Sequence, residues 1–237
     1  PIQEKQMVTQ KGDNTYVVGI HGNFDDAQTG VKQIFGDKEL AAYMNEKGFQ
    51  FSSANSINIG RLVPQIVYYV YAYVKLLEED KVQSGEKINV VVPTGNFGNI
   101  LAAYYAKHMG VPINKLICAS NANNVLTDFL NTGIYDRNRP FHATISPSMD
   151  ILISSNLERL LYHLSGNNDA QIREWFGSLN ETGRYEVTDD VKAKLKEEFC
   201  AGCCNDEQTK ETIKEYYDKY SYTCDTHTAV AVKVYND

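Results

Sequence analysis

Apolar positions change rhythm several times along the chain, and each change marks an element. "TYVVGI" (15–20) is a β-branched run and reads as a strand. The turn "HGNFDDAQ" leads into "DDAQTGVKQIF", where Ala27, Val31, Ile34 and Phe35 share one helical face behind an aspartate cap. "RLVPQIVYYVYAYVKLLEED" predicts a long helix with a boundary near Pro64, because proline has no N–H to donate to a preceding turn. "KINVVVP" is continuously apolar, the pattern of a parallel strand covered on both faces. "ILAAYYAKHMG" is a helix stopped by Gly110 with Pro112 beyond it. "KLICASN" is a second buried strand, and "NVLTDFLNTG" is a helix ended by Gly133. Strand and helix in alternation predict an α/β fold with parallel sheets and helices on both faces.

After about Asn156 the pattern becomes helical. "LERLLYHLSG", "DAQIREWFGSL", "DDVKAKLKEEF" and "DEQTKETIKEYYDKY" are amphipathic helices with polar joints, read as a helical insertion over about 156–220. In "DTHTAVAVKVYND" a polar cluster feeds an apolar run, as at a helix start capped by Asp225 or Thr226. "KGFQFSSANSIN" breaks the rhythm and puts a boundary near residues 48–52, separating 1–50 from 51–237. No internal repeat or low-complexity linker is visible in the sequence.

Composition narrows the classes. The 237 residues can bury a substantial core, and 43% hydrophobic with 22% charged residues is ordinary for a folded soluble chain. A net charge of −7 argues against a general nucleic-acid or anionic-membrane surface, while leaving room for a local anion site. "IVYYVYAYVKLL" is too short to span a bilayer and runs into "EED". The first residues lack the basic end and apolar stretch of a signal peptide, and without an initiator Met the natural start is expected upstream. Five cysteines at irregular spacing form no disulfide framework and suit a reducing cytoplasm. "CAGCC" is half of a zinc pattern with no second pair to complete four ligands, so it reads as a small-residue surface loop and no metal is expected.

Three stretches carry candidate chemistry. In "VVPTGNFGNILAAYYAKHMG" a strand runs through Gly95, Asn96, Phe97, Gly98 and Asn99 into a helix. Unpaired N–H groups at the helix start, helped by the dipole and by glycines that let a ligand close to the backbone, make an anion site. Neither GK[ST] nor GxGxxG is present, and a tight turn with a capping asparagine fits the same letters. "SSANSINIGRL" concentrates hydroxyl, amide and guanidinium groups, and Asn55, Ser56 and Arg61 could converge on an oxyanion; the same residues would also serve as helix caps with Arg61 in solvent. "DTHTAV" sets Thr228, which could hydrogen-bond a heteroaromatic nitrogen, beside His227, a residue equally at home in a structural role.

Taken in order, "GIHGNFDDAQTGVK", "SSANSINIGRLVPQ", "VVPTGNFGNILAAYYAKHMG", "ASNANNVLTDFLNTGIYD", "SPSMDILISSNLERLL" and "DTHTAVA" resemble the threonine synthase family. Its members are pyridoxal-phosphate enzymes of the tryptophan-synthase-β-like fold (fold type II). The resemblance spans the chain and implies part of a small lobe in 1–50 and a large cofactor-binding lobe in 51–237. It implies that Gly95, Asn96, Phe97, Gly98 and Asn99 hold the phosphate of pyridoxal 5'-phosphate and that Thr228 faces the pyridine nitrogen. It further implies that Asn55, Ser56 and Arg61 hold the phosphate of O-phospho-L-homoserine, which the family converts with water to L-threonine and phosphate. Three departures stand out. The family's Phe-Lys-Asp segment with the Schiff-base lysine is missing, and Lys38 in "GDKEL" and Lys81 in "EDKVQ" do not resemble it. The Ser/Thr-Gly loop for the substrate carboxylate and a C-terminal segment are also missing, and Thr226 stands where the family usually has proline. The expectation is therefore an internal, incomplete two-lobe fragment of a cytoplasmic enzyme, inactive alone, that binds cofactor or phosphate weakly. A threonine or serine dehydratase, or a non-catalytic phosphate-ligand domain, are the alternatives.

Overall fold

The computed structural model describes residues 5, 8–9, 11–22, 24–53 and 55–237. The chain divides into two compact units, Pro1–Ser52 and Ser53–Asp237. In the first, helices α1 (Phe24–Gly36) and α2 (Lys38–Glu46) are joined at Asp37, whose carboxylate accepts from Leu40 N at 2.9 Å and caps α2. Phe35 stacks on Phe51 with ring centroids 5.6 Å apart. The strand expected over 15–20 is absent: Thr15 makes one isolated bridge to Gly12, and Tyr16 to Ile20 follow no regular ladder. A β-branched run becomes a strand only beside a partner with matching register, and no described segment of this unit supplies one.

The second unit begins with the short helix α3 (Ile59–Leu62), a 3-10 turn at Val63–Gln65, and helix α4 (Ile66–Glu78). The expected boundary falls at Pro64, which sits in the first turn of that 3-10 segment, where a missing N–H costs nothing. Strand β1 (Ile88–Pro93), helix α5 (Gly98–His108), strand β2 (Ile113–Ser120) and helix α6 (Val125–Thr132) follow in βαβα order. The remaining elements are β3 (Ile134–Asp136), α7 (Leu157–Leu164), α8 (Asp169–Thr182), β4 (Arg184–Glu186), α9 (Asp189–Glu198), β5 (Phe199–Cys203), α10 (Asp206–Tyr220) and α11 (Thr226–Asn236).

The main sheet is parallel, in the order β1-β2-β5, with Val92 beside Cys118 and Cys118 beside Ala201. Alternate residues feed two cores. Val92, Leu116 and Cys118 join the large core with α5, α6, α7 and α9, while Ala119 packs with Met149, Cys204, Val230 and Ala231 under α11. Helices thus cover both faces, as the continuous apolar strands require. A small antiparallel pair, β3 with β4, stacks Tyr135 on Tyr185 at 5.3 Å between centroids. Among the described residues no helix is long and apolar enough to cross a membrane.

Two further expectations fail. "CAGCC" is no surface loop: Phe199–Cys203 is the third strand of the main sheet, and Cys204 is buried. The 156–220 stretch forms its four helices but also holds β4 and β5, so it is no purely helical insertion. Small side chains carry no β-branched signal, and here the pairing partner β2 decides the conformation in place of local propensity.

Candidate functional site

β1 hands its backbone directly to a loop. Thr94 N continues the ladder to Ala119 O at 2.8 Å, and its hydroxyl turns back to Val92 O at 2.7 Å. The next residues must pass very close to other segments. A Cβ on Gly95 would stand 2.6 Å from Ser148 O, and one on Gly98 would stand 2.5 Å from Ser56 Oγ. Between them Phe97 adopts a left-handed backbone (φ 62°), uncommon for an aromatic residue. Its ring is buried and packs on Phe199 of β5, centroids 5.8 Å apart, and that burial holds the strained backbone in place. Phe97 is the residue before α5, and no side chain caps the helix there. The first-turn N–H groups and the positive end of the dipole are therefore left for an outside acceptor.

They open on a pocket of about 200 Å³, lined by the backbone run Val92–Ile100 together with Ser56, Gln65 and Ser148. None of these residues carries a formal charge or a lysine amine. An anion here meets neutral dipoles and hydroxyls, which is what a phosphate ester needs when its charge must be held without an ion pair.

The walls come from three segments. In the first, Asn55 Oδ1 accepts from Ile57 N at 3.1 Å and bends the chain so that Ser56 lies over Gly98; Asn58 caps α3 by accepting from Gly60 N at 3.0 Å. In the second, Ser154 Oγ donates to Gly95 O at 3.0 Å and Ser155 Oγ to Asn96 Oδ1 at 3.3 Å. The fully buried Asn156 donates through Nδ2 to Asn96 O at 2.8 Å and to Ser56 Oγ at 3.0 Å. In the third, Tyr69 of α4 donates to Asn99 Oδ1 at 2.5 Å while Asn99 Nδ2 donates to Gln65 Oε1 at 3.1 Å. Burial raises the Tyr69 phenol above its ordinary pKa, so it stays a donor at any working pH.

The sequence-derived candidates therefore separate. Gly95, Asn96, Phe97, Gly98, Asn99 and Ser56 line one pocket. Asn55 shapes the wall from behind, and Arg61 lies exposed on α3, its N–H on Asn58 O at 2.8 Å, outside that lining. Thr228 sits half-buried in the first turn of α11, its N–H held by the Asp225 cap at 2.9 Å. Its neighbour His227 accepts through Nε2 from Ser148 N at 3.3 Å, which ties the helix start to the pocket wall. Burial pushes the Asp225 carboxyl up, but the Thr228 N–H, the His227 ring and the His227 N–H together hold it below its ordinary value. Sequence reasoning missed Gln65, Tyr69, Ser148, Ser154, Ser155, Asn156 and Arg159. The serines and Asn156 stand in "SPSMDILISSNLERLL", a conspicuous polar stretch whose partners lie about 60–100 residues away.

No protein-family model matches the chain. Among curated proteins it is 46% identical over 232 residues to threonine synthase-like 1 of Homo sapiens, covering 97% of this chain and 31% of that protein. It is 40% identical over 245 residues to threonine synthase of Saccharomyces cerevisiae, covering 98% of this chain and 46% of the yeast protein. The solved structure of pyridoxal-phosphate-bound threonine synthase from Brucella melitensis superposes with a TM-score of 0.86 at 39% identity, over 99% of this chain and 48% of that one. The yeast threonine synthase structure gives 0.84 at 38%, over 100% and 47%. The chain thus spans between about a third and a half of the proteins it matches. The chain is similar to threonine synthases over nearly all of its length and shares the mixed α/β fold of the solved ones.

Proposed function

We propose that this chain is part of a pyridoxal-phosphate-dependent threonine synthase, a lyase that turns O-phospho-L-homoserine and water into L-threonine and phosphate in the last step of threonine biosynthesis. The observation that carries the reading is the uncapped start of α5 behind Gly95 and Gly98, each pressed against a neighbouring segment with no room for a Cβ. In this reading Gly95 to Asn99 present backbone N–H groups to the cofactor phosphate. Ser56 stands at the edge of the same pocket, on the loop that Asn55 shapes, and with Asn55 and Arg61 it receives the substrate phosphate. Thr228 offers a neutral hydroxyl to the ring nitrogen from the start of α11. When bound, the cofactor supplies the electron sink that stabilises negative charge developing on the substrate carbons.

The pocket fits such a group by its chemistry: neutral donors, a helix N-terminus, and a backbone bared by two glycines. The lysine that carries the cofactor is assigned to a segment outside this chain, as are the carboxylate loop and the remaining lobe. Residues 1–50 belong to the small lobe and 51–237 to the large one. Alone, the chain binds phosphate or cofactor weakly and without turnover. A cytoplasmic setting accords with five free cysteines.

The test is to express the longer gene product and assay phosphate and threonine release from O-phospho-L-homoserine, beside Gly98→Ala. Release that the variant loses supports the proposal. Deamination of serine or threonine with no action on the phosphorylated substrate overturns it in favour of a dehydratase.

A further inference from the structure

Two loops far apart in sequence meet at this pocket, and two neighbouring side chains on a third segment, Asn156 and Arg159, link them. Arg159, on the second residue position after the start of α7, reaches back across the chain. Its Nη1 donates to Ser56 O at 3.3 Å, its Nη2 to Ile57 O at 2.5 Å, and its Nη1 also to Asn156 Oδ1. Asn156 in turn donates through Nδ2 to Ser56 Oγ and to Asn96 O, and its backbone N–H meets Asn96 O at 3.1 Å. Every polar atom of the Asn156 side chain is thus used, and the residue is entirely buried.

We propose that Arg159 is a positioning residue that clamps the loop 55–58 to the loop 95–99 through Asn156, so that the two walls of the anion pocket move as one. The residue lies outside the lining of the anion pocket. The guanidinium is spent on two consecutive carbonyls and an amide oxygen, and it lines the far side of the wall, beside a separate cavity of about 430 Å³ with Tyr105 and His163. The geometry calls for arginine. Carbonyls on adjacent residues need a planar fork with two separated nitrogens, whereas a lysine ammonium is a single point and reaches one of them. Without the fork, Ser56 keeps its hydroxyl contacts, from Asn156 Nδ2 at 3.0 Å and to Asn55 Oδ1 at 3.4 Å, but its carbonyl is released, and Asn156 Oδ1 loses the donor that orients its amide. The clamp gives the pocket a mechanical property: ordering of either loop by a bound anion orders the other, so each ligand strengthens the next. This last consequence rests on the pocket being the anion site proposed above; the clamp itself does not.

The whole chain is studied as wild type, R159K, R159A and E158Q by backbone hydrogen exchange and by titration with inorganic phosphate and with pyridoxal phosphate. Glu158 is the exposed neighbour on the same helix and serves as the control. Exchange at Ile57 and Asn58, whose N–H groups rest on Asn55, should quicken about tenfold in R159K and more in R159A, with α7 amides and the melting curve near wild type. Phosphate binding should weaken about tenfold in R159A and recover in part when millimolar guanidinium is added, a rescue that a general loss of packing would not show. Unchanged exchange over 55–58 in both Arg159 variants overturns the clamp. So does global unfolding of the conservative R159K, which would make the residue a fold determinant. Wild-type chain that binds neither probe refutes the anion-pocket reading, while the exchange data still decide the clamp.

Discussion

The loops that follow β1 and β2 leave the same end of the same sheet, and both are rich in asparagine, yet they have opposite fates. After β1, Asn96 and Asn99 stand among glycines, Phe97 is left-handed, and the first turn of α5 is uncapped. After β2, Asn121 and Asn123 are 1% and 3% exposed, and their amides are used up inside the chain. Asn121 Nδ2 donates to Asp150 Oδ1 at 2.7 Å, Asn123 Nδ2 to the same oxygen at 3.0 Å, and Thr144 supplies Oγ1 at 2.7 Å and its N–H to Oδ2 at 2.9 Å. Asn123 also fixes the following chain at His142, donating to its carbonyl and accepting from its N–H. One loop leaves the backbone donors of a helix start open, and the other saturates its side-chain donors within the chain. Asparagine by itself therefore carries no information about binding; what matters is whether the backbone around it has already found partners.

The contrast can be broken from either side, and the largest effect is expected in the saturated loop. Asp150→Ala strips an acceptor from four donors at once and should cost about 3–5 kcal/mol, read as a lowered urea midpoint; a loss below about 1 kcal/mol would mean that the network is not what holds this loop. Gly95→Ala attacks the open loop. Its Cβ meets Ser148 O, a backbone atom that cannot swing aside, so about 1–3 kcal/mol of overpacking should accompany at least tenfold weaker binding of pyridoxal phosphate. Unaltered binding would sink the close-approach argument. Tyr69→Phe removes the donor to Asn99 and should cost about 1 kcal/mol, with the loop looser by hydrogen exchange and the second loop untouched.

The smallest effect lies between the loops. Cys118 sits on β2 with Thr94 and Ser120 on either side, one leading into each loop, and burial pushes its thiol up to about 12 despite those two hydroxyls. A folded-state value above the unfolded one gives stability that is complete below the unfolded pKa and fades as pH climbs through about 12. At pH 9.5 that loss is still below about 1 kcal/mol, so urea midpoints at pH 7.5 and 9.5 should fall less in Cys118→Ala than in wild type. Equal falls would show that the thiol does not feel its burial.

Much of this architecture was readable in advance. "KINVVVP" and "KLICASN" became adjacent parallel strands because an unbroken apolar run has to be covered on both faces. The helices over 98–108 and 125–132 stop where Gly110 and Gly133 take positive φ. The apolar run at 15–20 misled because a strand is a relation between segments, and β5 escaped notice for the mirror reason: its small residues say nothing until β2 is beside them. The pocket followed the same rule. The glycine loop and Ser56 could be singled out as letters, since backbone exposure and hydroxyl clusters are local. Asn156 and Arg159 could not, because an ordinary helix start announces nothing about carbonyls some 100 residues away. Arg61, the more conspicuous arginine, lies outside the pocket lining, and the quieter Arg159 braces its wall.

The late position of β5 has a consequence for how the molecule is made. β1 and β2 leave the ribosome before β5, which pairs with β2 and starts about 80 residues after Ser120, a delay of several seconds at roughly 5–20 residues per second. Until Phe199 arrives, the Phe97 ring lacks the β5 partner it packs on, and the open edge of β2 can pair with any stray strand. Nascent chains of this protein should therefore depend on chaperones through that interval, and synonymous codons that slow translation between β2 and β5 should lengthen their exposure and lower the soluble yield.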